Sequence, residues 1–254
     1  MSVRTNLGFT ARDIARAVQR KDVIIVIDAL RCCSTIVTAL ANAADGVIPT
    51  TTVREARMLH LKRPELLLAG ERSGIKPKGF DLGNSPLEFS SQRVKEKSII
   101  LTTTSGTKAI ISSKGAKYVF TGAFLNANAI AKAASEIAER EKIGISLISV
   151  GTVGHFSLED FICVGAIARD FPVDNVQHSD AVLAALLAFQ RAHKSLDTVI
   201  QSGYHARHLK SIGFKGDVKF CCQLNIFQIV PFFNGEIIVP LAKAPNTEVG
   251  MNGF

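Results

Sequence analysis

Between Asp22 and Asp28 the chain runs Val23-Ile24-Ile25-Val26-Ile27, an unbroken β-branched stretch entered by one carboxylate and closed by another. That is the pattern of a short strand buried on both faces. Beyond it, Ser34 and Thr35 place hydroxyls near the start of a helix over 36–41, which Asp45-Gly46 stops. The unit recurs. A strand over 46–50 precedes a helix over 52–62, and a strand over 65–69 delivers Gly70-Glu71-Arg72. A strand over 98–102 leads through Thr103-Thr104-Ser105-Gly106-Thr107 into a helix from Lys108. Then come a strand over 117–121, a helix over 126–141 and a strand over 143–150 that ends at Gly151. From Leu158 helices dominate, over 158–170, 179–193 and 204–211, with strand-like pieces at 217–221 and 236–240.

Strands and helices alternating at this length predict an α/β fold, a three-layer αβα arrangement with a largely parallel or mixed sheet. No Pro-, Gly- or Ser-rich linker divides the chain, so residues 1–254 are expected to form a single compact unit. A second lobe, divided from the first near 125–155, would have to pack closely against it.

Composition narrows the class. With 254 residues, 47% hydrophobic and 20% charged, the chain can bury a core without disulfides or metal staples, and it is neither disordered nor fibrous. Its longest apolar stretch, 181–189, is far shorter than the roughly 20 residues of a membrane-spanning helix. No apolar leader follows Met1, so a cytoplasmic protein without membrane contact is expected. Five cysteines, including the vicinal pairs Cys32-Cys33 and Cys221-Cys222, suit neither a disulfide framework nor a zinc site.

The net charge of +8 is uneven, with 19 Lys and Arg against 10 Asp and Glu in residues 1–127 and near balance after that. An anionic partner follows. There is no dense basic run, no Trp, and only Tyr118 and Tyr204 besides Phe, which supplies nucleic-acid recognition poorly. A small anionic substrate fits better, and a homo-oligomer stays open.

In α/β sheets ligands collect beyond the carboxyl ends of strands, and the polar clusters of this chain fall there. Asp28 and Glu71, at two such ends, could hold a hard cation such as Mg²⁺, with Arg31 and Arg72 gripping phosphate oxygens. Two local ion pairs would explain the same residues. The 103–107 turn offers hydroxyls and amides for a phosphate, although by itself it also reads as an ordinary helix cap. Gly79-Phe80-Asp81-Leu82-Gly83-Asn84-Ser85-Pro86 gathers a carboxylate, an amide and a hydroxyl in one loop, approached by Lys76 and Lys78. Glu159 and Asp160 lie in the first turn of a helix, where acids need no further role, yet the glycine-rich 151–154 strand end before them makes them candidate ligands. His205 and His208 read as a solvated helix face and receive no role. Neither Cys32 nor Cys33 has an arginine six residues on, and Leu30 stands two after Asp28. A cysteine phosphatase loop and the paired aspartates of haloacid-dehalogenase-type phosphatases are therefore missing, as are the nucleotide-binding glycine loops.

The stretches 26–35, 69–74, 79–86, 102–107 and 124–127, with Ser157-Leu158-Glu159-Asp160 and Cys163-Val164-Gly165, resemble in order the 2-phosphosulfolactate phosphatase family of coenzyme M biosynthesis. The resemblance implies a Mg²⁺-dependent phosphomonoester hydrolase acting on a small phosphorylated, sulfonated hydroxy acid. It implies a site lined by Asp28, Arg31, Ser34, Thr35, Glu71, Arg72, Asp81, Asn84, Ser85 and Thr104, Ser105, Gly106 and Thr107. Within it, Asp28, Arg31, Glu71 and Arg72 are the expected catalytic groups. Asp28, Glu71, Asp81, Glu159 and Asp160 are the expected metal ligands, and the hydroxyl and amide residues the expected substrate contacts. Lys76, Lys78 or Lys108 would meet the second anion. Cys32-Cys33 stands where the family has Ala-Thr, and Ser105 where it has Asn. Water and Asp28 itself both remain open as the nucleophile. Another phosphorylated hydroxy acid as substrate, or a non-catalytic anion- or nucleic-acid-binding protein, are the alternatives.

Overall fold

The computed structural model describes residues 2–152, 154–172 and 176–244. Among them ten strands form one sheet in the order β4-β5-β3-β10-β9-β6-β2-β7-β1-β8. The strands are β1 (Val3–Gly8), β2 (Val23–Ile27), β3 (Gly46–Thr50), β4 (Leu67–Gly70), β5 (Ser98–Thr102), β6 (Val119–Gly122), β7 (Ile145–Ser149), β8 (Val176–His178), β9 (Pro231–Phe233) and β10 (Ile238–Pro240). The helices are α1 (Ala11–Gln19), α2 (Cys32–Ala41), α3 (Val53–Lys62), α4 (Ser91–Val94), α5 (Gly106–Ser112), α6 (Ala127–Glu141), α7 (Leu158–Arg169), α8 (Asp180–Ala192), α9 (Leu196–Gln201), α10 (Tyr204–Ser211) and α11 (Lys215–Cys221).

The sheet has two parallel parts. One is β4-β5-β3 and the other β6-β2-β7-β1-β8, each internally parallel. The hairpin β9-β10 joins them through three successive antiparallel pairings, so the two parts run in opposite senses. Both parts belong to one continuous sheet, with the hairpin as the seam between them.

Alternation along the strands builds the three layers. In β2, Val23, Ile25 and Ile27 pack into a core under α6, α7 and α8, while Ile24 and Val26 face the opposite core under α1, α2 and α5. In β5, Ile99 and Leu101 join that second core and Ile100 packs beneath α3 with Leu68 and Phe80. With side chains buried on both faces, β2 carries no polar position, which is why it reads as an apolar run.

Three differences from the sequence reading stand out. The stretch read as a strand over 217–221 is the helix α11, whose Asp217, Val218 and Cys221 are buried. These positions repeat at helical spacing, which five residues are too few to separate from alternation. The N-terminal segment supplies β1 and α1, the latter opened by a capping box in which Thr10 and Asp13 satisfy each other's backbone N–H groups. Strand β9 and the three-residue β8 carry too few residues for any period to register.

Candidate active site

The loops that follow β2, β4, β5 and β7 meet the first turns of α7 and α10 around a pocket of about 280 Å³. Asp28, Glu71, Glu159 and Asp160 line it, together with Arg31, Asn84, Thr103, Thr104, Ser105, Thr152, His205 and His208. All four carboxylates are buried.

Their local partners show how each is held. Glu71 Oε1 accepts from the Thr104 amide at 2.7 Å and the Thr104 hydroxyl at 2.9 Å, and Oε2 accepts from the Gly74 amide at 2.8 Å. Asp160 clamps two strand ends, its Oδ1 accepting from the Ala29 amide at 2.8 Å and its Oδ2 from the Gly151 amide at 2.9 Å. Asp28 Oδ1 accepts from the Cys32 amide at 3.2 Å. Its other oxygen faces Gly106, where a Cβ would stand 2.6 Å from Oδ2 and 2.6 Å from Cys32 Cβ. Only glycine leaves room for that approach.

Burial sets the electrostatics. Desolvation pushes the Asp28 carboxyl up to about 7, aided by repulsion from Glu71 and Glu159 and opposed by the Cys32 amide and by Arg31. Asp160 is raised well above the usual carboxylate range by burial, then by Glu159 and Asp28. Glu159 is raised by burial and opposed by hydrogen bonds from its own backbone and from Ser157. The thiols of Cys32 and Cys33 are pushed up by burial and by nearby negative charge, and a thiol held protonated is a poor nucleophile.

Arg31 lies in the pocket wall and is held there by two hydrogen bonds and a ring. It donates to Asp217 Oδ2 at 2.6 Å and to the Gly74 carbonyl at 2.6 Å, and stacks 4.1 Å from the centre of the Phe214 ring. Ser85 completes this buried pair by donating to Asp217 Oδ1 at 2.7 Å. Arg72 is turned away from the pocket, onto its neighbour's carbonyl at 2.5 Å and the Thr102 hydroxyl at 2.9 Å. It ties β4 to β5.

The other expected site residues divide in the same way. Thr104, Ser105 and Asn84 line the pocket. Thr107 instead closes the turn, exchanging hydrogen bonds with Thr103 at 3.1 and 3.0 Å. Ser34 and Thr35 are buried behind the pocket, donating to the Ala29 and Asn84 carbonyls at 2.7 and 2.9 Å. Asp81 is exposed and accepts from the Leu68 amide at 2.8 Å, so the structure does not bring it to the other carboxylates. Lys76, Lys78 and Lys108 are exposed and outside the pocket lining. The 151–154 strand end reaches the site through Gly151 and Thr152, and Val153 lies outside the described residues.

Histidines 205 and 208 went unassigned in the sequence, yet both line the pocket. The signal was their i, i+3 spacing together with Leu209, which places one face of α10 against the site.

Among the described residues no group of three or more His, Cys, Asp or Glu is arranged to hold a metal ion, and no helix is long and apolar enough to cross a membrane.

A family model described as 2-phosphosulpholactate phosphatase matches residues 9–236. A Thermotoga maritima protein named probable 2-phosphosulfolactate phosphatase is 40% identical over 216 residues, 85% of this chain and 91% of its own. A protein of the same name from Clostridium novyi is 35% identical over 235 residues, 91% of this chain and 97% of its own. The matched region takes in every residue that lines the pocket, from Asp28 to Leu209. The chain belongs to the 2-phosphosulfolactate phosphatase family.

Proposed function

We propose that the protein hydrolyses 2-phosphosulfolactate to sulfolactate and phosphate in this pocket, with Mg²⁺ held at its acidic end. The observation that carries the reading is the convergence of four buried carboxylates around one small pocket whose arginine is already neutralised by Asp217. Holding several like charges together out of water is costly unless a cation or protons accompany them. A phosphate monoester bearing further negative groups would be repelled from such a pocket unless a cation intervened.

The donor set suits Mg²⁺, a hard ion that binds oxygen, is held by one or two carboxylates and completes its shell with waters and substrate phosphate. A preformed cage of three protein ligands is not required. Asp28 and Glu159, two of the buried carboxylates that line the pocket, would hold the ion. When bound, the ion neutralises the phosphate oxygens and stabilises the charge developing on them.

The chain's own groups do the remaining work. Ser105, in the turn that Glu71 fixes through Thr104, offers its hydroxyl and amide to the equatorial phosphate oxygens. Water attacks phosphorus in line, forming one P–O bond as the bond to the substrate's C2 oxygen breaks. The proton released by the attacking water passes through solvent in the pocket to the departing alkoxide oxygen, so that none is gained or lost. The test is phosphate release from 2-phosphosulfolactate, 2-phospholactate and glycerol 2-phosphate. The reading expects the highest kcat/KM on 2-phosphosulfolactate, and release from none of the three would overturn it.

A further inference from the structure

Part of the pocket wall is formed by α10, which contributes Tyr204, His205, His208 and Leu209. Ala206 and Leu209 are buried and seat the helix on the core. His205 is committed to the same task. Its Nε2 is 2.8 Å from the Leu30 carbonyl, which assigns the N–H to that nitrogen, and its Nδ1 is sealed from solvent. The His208 ring stacks on it, with centroids 6.3 Å apart and planes inclined by 29°. His208 is exposed at the pocket mouth, and among the described residues its ring nitrogens take no hydrogen bond.

A sulfonate is a permanent anion with three acceptor oxygens, so it needs N–H or O–H donors away from the carboxylates that handle the phosphate. Arg31 is paired with Asp217, and Lys76, Lys78 and Lys108 lie outside the pocket lining. The imidazole of His208 carries at least one N–H in either protonation state. We propose that His208 receives the sulfonate of the substrate and sets the preference for a sulfonated ester over one without the sulfonate, positioned by its stack on His205. The inference rests on the phosphatase reading above and assigns its second anion subsite to α10 in place of the lysines.

The test compares KM and kcat of the wild type, His208→Ala and His208→Lys on 2-phosphosulfolactate and on 2-phospholactate, which lacks the sulfonate. Because His208 is exposed, neither substitution disturbs the core. In His208→Ala, KM for 2-phosphosulfolactate should rise about tenfold, the size of one lost hydrogen bond to a charged group. KM for 2-phospholactate should change by under about twofold. His208→Lys, which restores a donor, should recover most of the preference. An unchanged ratio of KM values in His208→Ala overturns the inference alone, as does a wild type that does not distinguish the two esters. A wild type that releases phosphate from neither overturns the phosphatase reading, and this inference falls with it.

Discussion

Replacing Asp28 by asparagine separates what the carboxyl costs from what it does. The residue is buried, and its carboxyl is pushed from 3.8 up to about 7. The folded, metal-free protein therefore binds a proton between about pH 4 and 7 that the unfolded chain has released. Where the folded state binds more protons, stability falls as pH rises, by about 1.4 kcal/mol per pH unit for one group. The loss saturates above pH 7 at about 4 kcal/mol. Asparagine keeps an oxygen for the Cys32 amide and never ionises, so Asp28→Asn escapes the loss. Its advantage over wild type should grow by about 3 kcal/mol between pH 5 and pH 8. At about 2–4 °C per kcal/mol for a chain of this size, the difference in melting temperature should widen by roughly 5–10 °C, with neighbouring Glu159 and Asp160 absorbing part of it. Thermal melts of both proteins in EDTA at the two pH values read this directly. Mg²⁺ should then raise the wild-type melting temperature at pH 8 more than that of the variant, while phosphate release by the variant falls by about 10³-fold. A variant that melts below wild type at pH 8, or that is stabilised by Mg²⁺ as strongly, refutes the argument that this carboxyl is an uncompensated charge awaiting a cation.

Three further substitutions probe the surroundings. Gly106→Ala puts a methyl 2.6 Å from Asp28 Oδ2 and from Cys32 Cβ, so the turn must move; kcat should drop at least about tenfold and stability by about 1–3 kcal/mol, both read by steady-state kinetics and thermal melts. Asp217→Ala strips the partner from a fully buried Arg31 and should destabilise the protein by about 3–5 kcal/mol, measured by urea unfolding. Thr104→Val removes the hydroxyl at 2.9 Å from Glu71 Oε1 while leaving the amide at 2.7 Å; the melting temperature should fall by only a few degrees, equivalent to about 1 kcal/mol, with a larger proportional loss in kcat than in KM.

The parts of this molecule that were legible in the sequence are those whose signal is local. The β2 run, buried on both faces, leaves an unbroken apolar stretch, and the carboxylate closing it projects into the pocket. The same holds for Glu71 after β4 and for the Thr103–Thr107 turn after β5. What stayed hidden depends on distant partners. Arg31 meets Asp217 across 186 positions, and nothing near either residue marks the pairing; a buried ion pair and a phosphate grip use the same guanidinium. Arg72, Ser34 and Thr35 are likewise polar groups spent on backbone carbonyls, a role that residue type alone does not separate from ligand binding. Asp81 sits in a distinctive loop and still serves the Leu68 amide. Conversely, the histidines of α10 read as a solvated face because the element that faces them is the end of β2, far away in sequence.

The acidic pocket is expected to work as a phosphatase site only with a cation in it. Phosphate release from 2-phosphosulfolactate by the purified wild type, stripped with EDTA and then supplied with excess Mg²⁺, tests it most directly. Release should be negligible in EDTA and recover fully on adding Mg²⁺. A rate indifferent to EDTA, or no release after Mg²⁺ is restored, would contradict it.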